Sequence, residues 1–400
     1  MPVAGHEVPT VAAQPPEMVC GRCGARYRVE SLAWRCACGG LLDVAAFPTR
    51  MDPSELSSRE MTMWRYREVL PIGADPEISL GEGMTPLVRS RALPHILLKL
   101  DFLMPTLSFK DRGAVVLATL AKRIGVERAM VDSSGNAGTA IAAYFARAGI
   151  ACTVFVPAST SPGKLAQLRA HGARLELVPG TRADTSAAAL EVAGVDGVMY
   201  ASHIYHPYFF HGVKSYGYEL WEQNGFELPD TVVLPVGNGT LVLGCQLAFS
   251  ELVRAGLATR APKIVAVQAR ACAPLEAAEL TGSTEPVEVD PGETIAEGIA
   301  IAAPPRGAQI LAAIRDSGGT VVSVTDNQIQ AARDVLADEG LFVEPTAAAC
   351  FAATRVAREE GLDAESATWA RARPLLSSGV VVVPLCGAGL KSPAGSYSGA

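Results

Sequence analysis

Four hundred residues, 49% of them apolar and 19% charged, are enough to bury a sizeable core in two or three structural units. A net charge of −7, from 34 basic against 41 acidic residues, supplies no general field for nucleic acid or an anionic membrane surface, so a small-molecule partner is expected. No stretch approaches roughly 18 uninterrupted apolar residues, and the first 19 residues carry Pro and Glu where a signal sequence would carry a basic segment and an apolar core. A cytoplasmic protein without a membrane partner is therefore expected.

Residues 1–19 read as a Pro-containing tail. Next come Cys20-x2-Cys23 and, after twelve intervening residues, Cys36-x-Cys38-Gly39-Gly40. Four thiolates on two short turns suffice for a tetrahedral structural zinc site, although the second pair is spaced more tightly than usual and a metal-free reduced knuckle is the alternative. The other five cysteines (Cys152, Cys245, Cys272, Cys350, Cys386) stand singly in apolar segments, as small buried hydrophobes do, and imply no disulfides. Residues 49–80 read as a linker with one helix around Ser57–Val69.

From Ile96 onward, short apolar runs alternate with longer stretches of helical period, the signature of βαβ units and a parallel sheet. Strands are predicted at Ile96–Leu100, Ala129–Asp132, Cys152–Val156, Arg174–Val178, Thr231–Val236, Lys263–Gln268, Thr320–Val324 and Val380–Pro384. Helices are predicted at Asp111–Arg123, Asn136–Ala148, Pro162–His171, Gly212–Gln223, Thr240–Ala255, Asp326–Glu339 and Thr346–Glu359, with 272–294 irregular. The fold class is α/β, doubly wound, and ligands of such sheets collect at the carboxyl ends of the strands.

Four segments at those ends carry chemistry. Lys110, in Leu107-Ser108-Phe109-Lys110-Asp111-Arg112-Gly113, begins a helix with Ser108 as candidate N-cap. A lysine at the electropositive end of a helix gains nothing from the dipole, so its amine is biased toward the neutral nucleophile. Alone, it is equally compatible with an ordinary surface Lys-Asp-Arg cluster. Ser133-Ser134-Gly135-Asn136-Ala137-Gly138-Thr139 offers N–H groups and hydroxyls to a carboxylate, and Gly237-Asn238-Gly239-Thr240 lets backbone wrap a phosphate, yet each alone is also a plain strand-to-helix turn. Cys386, after the last strand, would by itself be packing.

Taken in order, these segments resemble the threonine-synthase branch of the tryptophan-synthase β-like, fold-type II enzymes that use pyridoxal 5'-phosphate (PLP), a superfamily that also holds serine/threonine dehydratases and cysteine synthases. Further anchors are Gly81-Glu82-Gly83-Met84-Thr85-Pro86-Leu87, Gly163-Lys164-Leu165-Ala166-Gln167 with His171-Gly172-Ala173, and Val343-Glu344-Pro345-Thr346. The resemblance implies two doubly wound α/β domains with PLP between them: a small one at 113–205, a large one at 49–112 plus 206–400, and a cysteine ribbon at 1–48 in front. It also implies Lys110 as the Schiff-base lysine, Asn136 at the cofactor's 3'-oxygen, and Gly237, Asn238, Gly239 and Thr240 as the phosphate cradle. Ser133, Ser134 and Thr139 fall to the substrate carboxylate, and Cys386 faces the pyridine nitrogen. A neutral thiol there favours elimination or replacement over transamination. The implied activity is that of a PLP-dependent lyase on a small amino acid, most specifically conversion of O-phosphohomoserine to threonine, with a dehydratase or β-replacement synthase as the alternative; a homodimer is expected.

The chain departs from the family pattern at three places. Leu107 replaces a glycine, which implies a bulkier backbone less free to take positive φ. Ala137 and Gly138 replace a Thr-Ser pair, removing two hydroxyls, and Cys386 replaces threonine. Three of the six histidines, His203, His206 and His211, cluster before Lys214; one is a candidate acid, base or phosphate ligand, and Lys214 and Lys164 are candidate anion contacts.

Overall fold

The computed structural model describes residues 14–195, 197–358 and 366–391. The first thirteen residues of the expected tail lie outside these ranges, and the remainder leads into strand β1 at Met18–Cys20. With β2 (Arg26–Tyr27) and β3 (Leu42–Val44) it forms a small antiparallel sheet in the order β2-β1-β3. The linker then folds as two short 3-10 helices, Pro53–Ser58 and Met63–Val69, in place of the single helix expected from Ser57 to Val69. Asp52 and Thr62 each cap one of them, so two start signals divide the segment.

Strands β4 (Leu87–Arg89) and β5 (Ile96–Lys99) form an antiparallel pair that leads to helix α1 (Asp111–Arg123). There follow β6 (Arg128–Val131), α2 (Asn136–Arg147), β7 (Ala151–Pro157), α3 (Pro162–Ala170), β8 (Arg174–Val178), α4 (Arg182–Val192) and β9 (Val198–Tyr200). These four strands make a parallel sheet, β8-β7-β6-β9. The chain returns through α5 (Pro207–Val213), α6 (Ser215–Gln223), β10 (Thr231–Pro235), α7 (Thr240–Arg254) and β11 (Lys263–Ala269). It ends with α8 (Pro274–Thr281), α9 (Gly307–Asp316), β12 (Thr320–Val324), α10 (Asp326–Asp338), α11 (Pro345–Val356), α12 (Ala367–Ser377) and β13 (Val381–Pro384).

The main sheet runs β12-β11-β10-β13-β5-β4, parallel except at the β4 edge. Its two central strands, β10 and β13, are buried along their whole length, as Thr-Val-Val-Leu-Pro and Val-Val-Val-Pro require when helices cover both faces. Two further expectations are corrected. Pro274 starts helix α8 inside the stretch read as irregular, at the first helical position where its missing N–H costs nothing. The helix expected from Gly212 begins at Pro207 and divides at Lys214 into α5 and α6. Among the described residues no helix is long and apolar enough to cross a membrane.

Candidate active site

Parallel pairing brings together residues far apart in sequence. Because β13 lies between β10 and β5, the loops that leave these neighbours carry Cys386, the Gly237–Thr240 turn and Lys110 to one end of the main sheet. The loops after β6, β7, β8 and β9 approach from the small sheet. Between them lies a cleft of about 1110 Å³, and Lys110, Ser133, Ser134, Asn136, Thr139, Gly237, Asn238, Gly239, Thr240 and Cys386 all line it.

Lys110 stands as the N-cap residue of α1, so Ser108 is not the cap; its hydroxyl is buried without a partner. The loop before it is laced to the Cys386 loop: Phe109 N–H donates to the Cys386 carbonyl (3.0 Å) and Ala388 N–H to the Leu107 carbonyl (3.1 Å). Leu107 adopts φ +63°, against the expectation that a leucine would resist the left-handed region. That conformation costs about 1–2 kcal/mol for a side-chain-bearing residue. The bond of its N–H to Met104 (2.8 Å) and the lacing hold it there. Two residues after Lys110, the fully buried Arg112 ties the start of α1 down by double hydrogen bonds to Asp101 and to Glu219; Lys99 completes the cluster, 2.6 Å from Glu219.

The Lys110 ammonium reaches the Thr240 hydroxyl (3.4 Å), at the tip of the glycine turn. Burial pushes its pKa down to about 8, favouring the neutral amine that Schiff-base formation needs. Gly239 takes φ +73° and leads into α7, whose first N–H groups face the cleft as an anion receptor. Cys386 is buried with its thiol pushed well above the usual range, so it presents a neutral SH. A lysine whose neutral form is brought closer to neutral pH, an N–H-rich turn and a neutral thiol within one cleft of this volume are a donor set that fits PLP.

Asn136 opens α2, and its amide donates to both oxygens of Glu344 (2.9 and 3.0 Å). Burial raises the pKa of Glu344. Gly138 has a packing reason: a Cβ there would come within 1.8 Å of the Ser133 carbonyl oxygen, so the position lacks a hydroxyl because the turn lacks room. Thr139 turns its hydroxyl back to the Gly135 carbonyl (3.3 Å).

Of the three clustered histidines only His203 lines the cleft. His206 and His211 are buried elsewhere, His211 beside Phe47 and Phe210. Lys214 is not an anion contact: it is fully buried and paired with Glu251 at 2.9 Å. Lys164 does line the cleft, paired with Glu297 at 2.5 Å. Sequence reasoning missed Asp132, Arg182, Glu344 and Lys391 as cleft residues. Glu344 was within reach, since Val-Glu-Pro-Thr stands at a helix start, whereas Arg182 belongs to a helix without apolar periodicity.

The four N-terminal cysteines converge, with all Sγ atoms within 4.8 Å of one another. Cys20 and Cys38 are 3.6 Å apart, Cys23 and Cys36 3.5 Å, and all four are free thiols. The Tyr27 hydroxyl, donating to Cys36 from 3.2 Å, holds that thiol down to about 6. This module is clamped to the loop that carries His203: buried Arg306 donates to Asp43 (2.9 Å) and the Leu42 carbonyl (2.7 Å) on one side, and to the carbonyls of Ile204 (2.8 Å) and Tyr205 (3.1 Å) on the other. Trp34 meets Tyr200 and Tyr205 edge to face at 5.5 and 5.2 Å.

Comparison with known proteins agrees with this architecture. Residues 78–387 match the family described as pyridoxal-phosphate dependent enzyme. The threonine synthase of Methanocaldococcus jannaschii is 34% identical over 356 residues, covering 86% of this chain and 88% of that protein. The threonine synthase of Methanosarcina acetivorans is 35% identical over 347 residues, covering 84% and 85%. Among solved structures, the processed form of threonine deaminase isoform 2 from Solanum lycopersicum shares the fold, with a TM-score of 0.64, 22% identity and coverage of 88% and 93%. A lysine-bearing cleft between two largely parallel sheets, matched along most of the chain, places this protein among the PLP-dependent lyases of fold type II, in their threonine-synthase-like branch.

Proposed function

We propose that this chain is a threonine synthase, converting O-phosphohomoserine and water to threonine and phosphate. The observation that carries the reading is the similarity to threonine synthases at 34–35% identity across 84–86% of the chain. Lys110, Asn136, Gly237, Asn238, Gly239, Thr240 and Cys386 would hold PLP, which when bound withdraws electrons from the substrate's α-carbon and so makes its proton removable. Lys110 would be the base that holds and returns the proton, and its lowered pKa suits that task near neutral pH. Ser133, Ser134 and Thr139 orient the substrate carboxylate. The Cys386 thiol, held neutral by burial, would offer the cofactor's ring no charged partner, an environment that would favour expulsion of a leaving group.

The test is incubation of the holoenzyme with O-phosphohomoserine, following phosphate and threonine together. Equal release supports the reading, and phosphate without threonine ends it. Ammonia and keto acid from serine or threonine would establish the dehydratase alternative, which Ala137 and Gly138 favour because they leave two fewer hydroxyls around the substrate.

Cys20, Cys23, Cys36 and Cys38 are proposed to hold a structural zinc. Tetrahedral zinc with Zn–S of about 2.3 Å needs sulfurs about 3.8 Å apart, close to the 3.5 and 3.6 Å pairs. Such a closed site offers no position to a substrate. Metal analysis of the purified protein checks it at one zinc per chain. The unit boundaries 1–48, 113–205 and 49–112 with 206–400 are proposed on the same footing, supported by three sheets that each draw on one range alone. For the homodimer, size-exclusion chromatography at twice the 41.8 kDa chain mass is the expected result; a cytoplasmic location is expected and is checked by fractionation.

A further inference from the structure

Of the four Lys and Arg side chains that line the cleft among the described residues, three are engaged: Lys110 with Thr240, Lys164 with Glu297, and Lys391 with the Thr106 carbonyl at 2.8 Å. Arg182 differs. Among the described residues its guanidinium has no hydrogen-bond partner, and the carboxylates that act on it, Asp132 and Glu297, are committed to Tyr200 (2.7 Å) and Lys164 (2.5 Å). It opens α4, which is fixed at its start by a capping box between Thr181 and Asp184 and packed through Ala189 and Leu190 on Met130 and Tyr200. The start of the helix, and with it the backbone of Arg182, is therefore fixed, while the side chain itself is exposed at the cleft.

His203 faces the same space. It is 4% exposed, its Nδ1 lacks a partner among the described residues, and both Lys110 and Arg182 act on it electrostatically. Burial and these two cations hold it neutral, with one N–H free to donate. On the same wall, Ser159, Thr160 and Ser161 line the cleft ahead of α3. The glycine turn at α7 belongs to the other sheet, so these groups are additional to the cofactor's cradle.

We propose that Arg182 and His203 form a subsite for the anionic group at the far end of the substrate's side chain, Arg182 as its counter-charge and His203 as a neutral donor. A carboxylate has two oxygens, which a guanidinium fork alone would occupy. A phosphate monoester offers a third to His203 and has acceptor capacity left for the serine and threonine hydroxyls. The subsite thus rests on the reading of the substrate as a phosphorylated amino acid, and assigns the residues that recognise its phosphate.

The experiment uses the holoenzyme, with inorganic phosphate as probe in calorimetric titration, and O-phosphohomoserine and homoserine as amino acids. Arg182→Gln should weaken inorganic phosphate and raise the O-phosphohomoserine KM by about ten-fold or more, the value of a lost charge-assisted hydrogen bond. Homoserine affinity, followed through the cofactor's visible band, should move by less than about two-fold, since homoserine lacks the charged group. His203→Gln should give a smaller loss of the same kind, and Arg182→Lys should recover part of it, which also provides a variant should the glutamine fail to fold. Equal losses for homoserine and O-phosphohomoserine, or unchanged phosphate affinity in Arg182→Gln, would overturn the subsite. Arg182-dependent phosphate binding without threonine formation would leave the subsite standing and remove the threonine-synthase reading. Threonine formation with an unchanged KM in Arg182→Gln would do the reverse.

Discussion

The cleft and the cysteine module meet on one stretch of chain, Ser202–His211, and use it differently. Facing the cleft, the stretch offers His203, a side chain without a partner among the described residues; facing the module, it offers the carbonyls of Ile204 and Tyr205, both satisfied by Arg306. On this stretch the cleft side is left open and the carbonyls on the module side are saturated; His206 and His211, whose buried Nδ1 atoms also lack partners among the described residues, lie away from the cleft, so an open nitrogen marks a ligand-facing group only where it lines the cavity. The sharpest way to break the contrast is Lys110→Ala. It should abolish the visible band of the bound cofactor and lower turnover by at least about 10²-fold, as loss of an acid–base group does, while thermal unfolding stays near wild type. A band that survives the substitution would remove Lys110 from its role.

Beneath the cleft lies a saturated group of the second kind. Arg112, Asp101, Glu219 and Lys99 are fully buried, and the cations hold Glu219 down to about 2 against the desolvation that would raise it. Arg112→Met would leave two carboxylates short of their partner, at a cost of about 3–5 kcal/mol. Urea unfolding should register it as a lower midpoint with unchanged slope. A loss below about 1 kcal/mol would mean that the cluster relaxes and does not hold the start of α1.

The Lys110 amine gives a pH prediction on the open side of the contrast. Burial places its pKa near 8, so below that value the neutral fraction falls with each pH unit. The rate of PLP uptake by apoprotein should rise about ten-fold per unit up to pH 8 and level off above it. A rise continuing toward pH 10 would mean an ordinary solvated lysine.

What the sequence made legible follows the same division. Lys110, Asn136, the glycine turn and Cys386 could be read because each sits at the end of a strand whose apolar run is local, and strand ends are where such sheets bind. Arg182 could not, because α4 shows an alanine-rich stretch with a capping box in place of an apolar stripe, and because its place in the cleft depends on how α4 lies across β7 of the small sheet. The bond from Arg306 to Asp43 spans 263 positions, and no periodicity reports a contact between an irregular loop and a cysteine knuckle. Leu107 shows the opposite error. A rule about which residues tolerate positive φ was sound locally and was overridden by three backbone hydrogen bonds, from Leu107, Phe109 and Ala388 N–H groups, that make the turn obligatory.

Arg306 also supplies the smallest effect and the finest test of the contrast. If the module only shapes its side of the loop, losing it should disturb His203 and leave the cofactor's residues alone, since the Gly237–Thr240 turn and Cys386 belong to the main sheet. Cys20→Ser with Cys23→Ser removes half of the thiol set while Arg306 stays in place; loosened, Asp43 and the Leu42 carbonyl hold Arg306 less firmly, and through it Ile204 and Tyr205. The expected result is an unchanged cofactor band and turnover, with the KM for the phosphorylated substrate raised by about three-fold, the scale of one weakened hydrogen bond. Loss of the band would tie the module to the cofactor and erase the distinction. An unchanged KM would mean that Trp34, Tyr200 and Tyr205 hold the loop by themselves, leaving the cysteines to support only their own sheet.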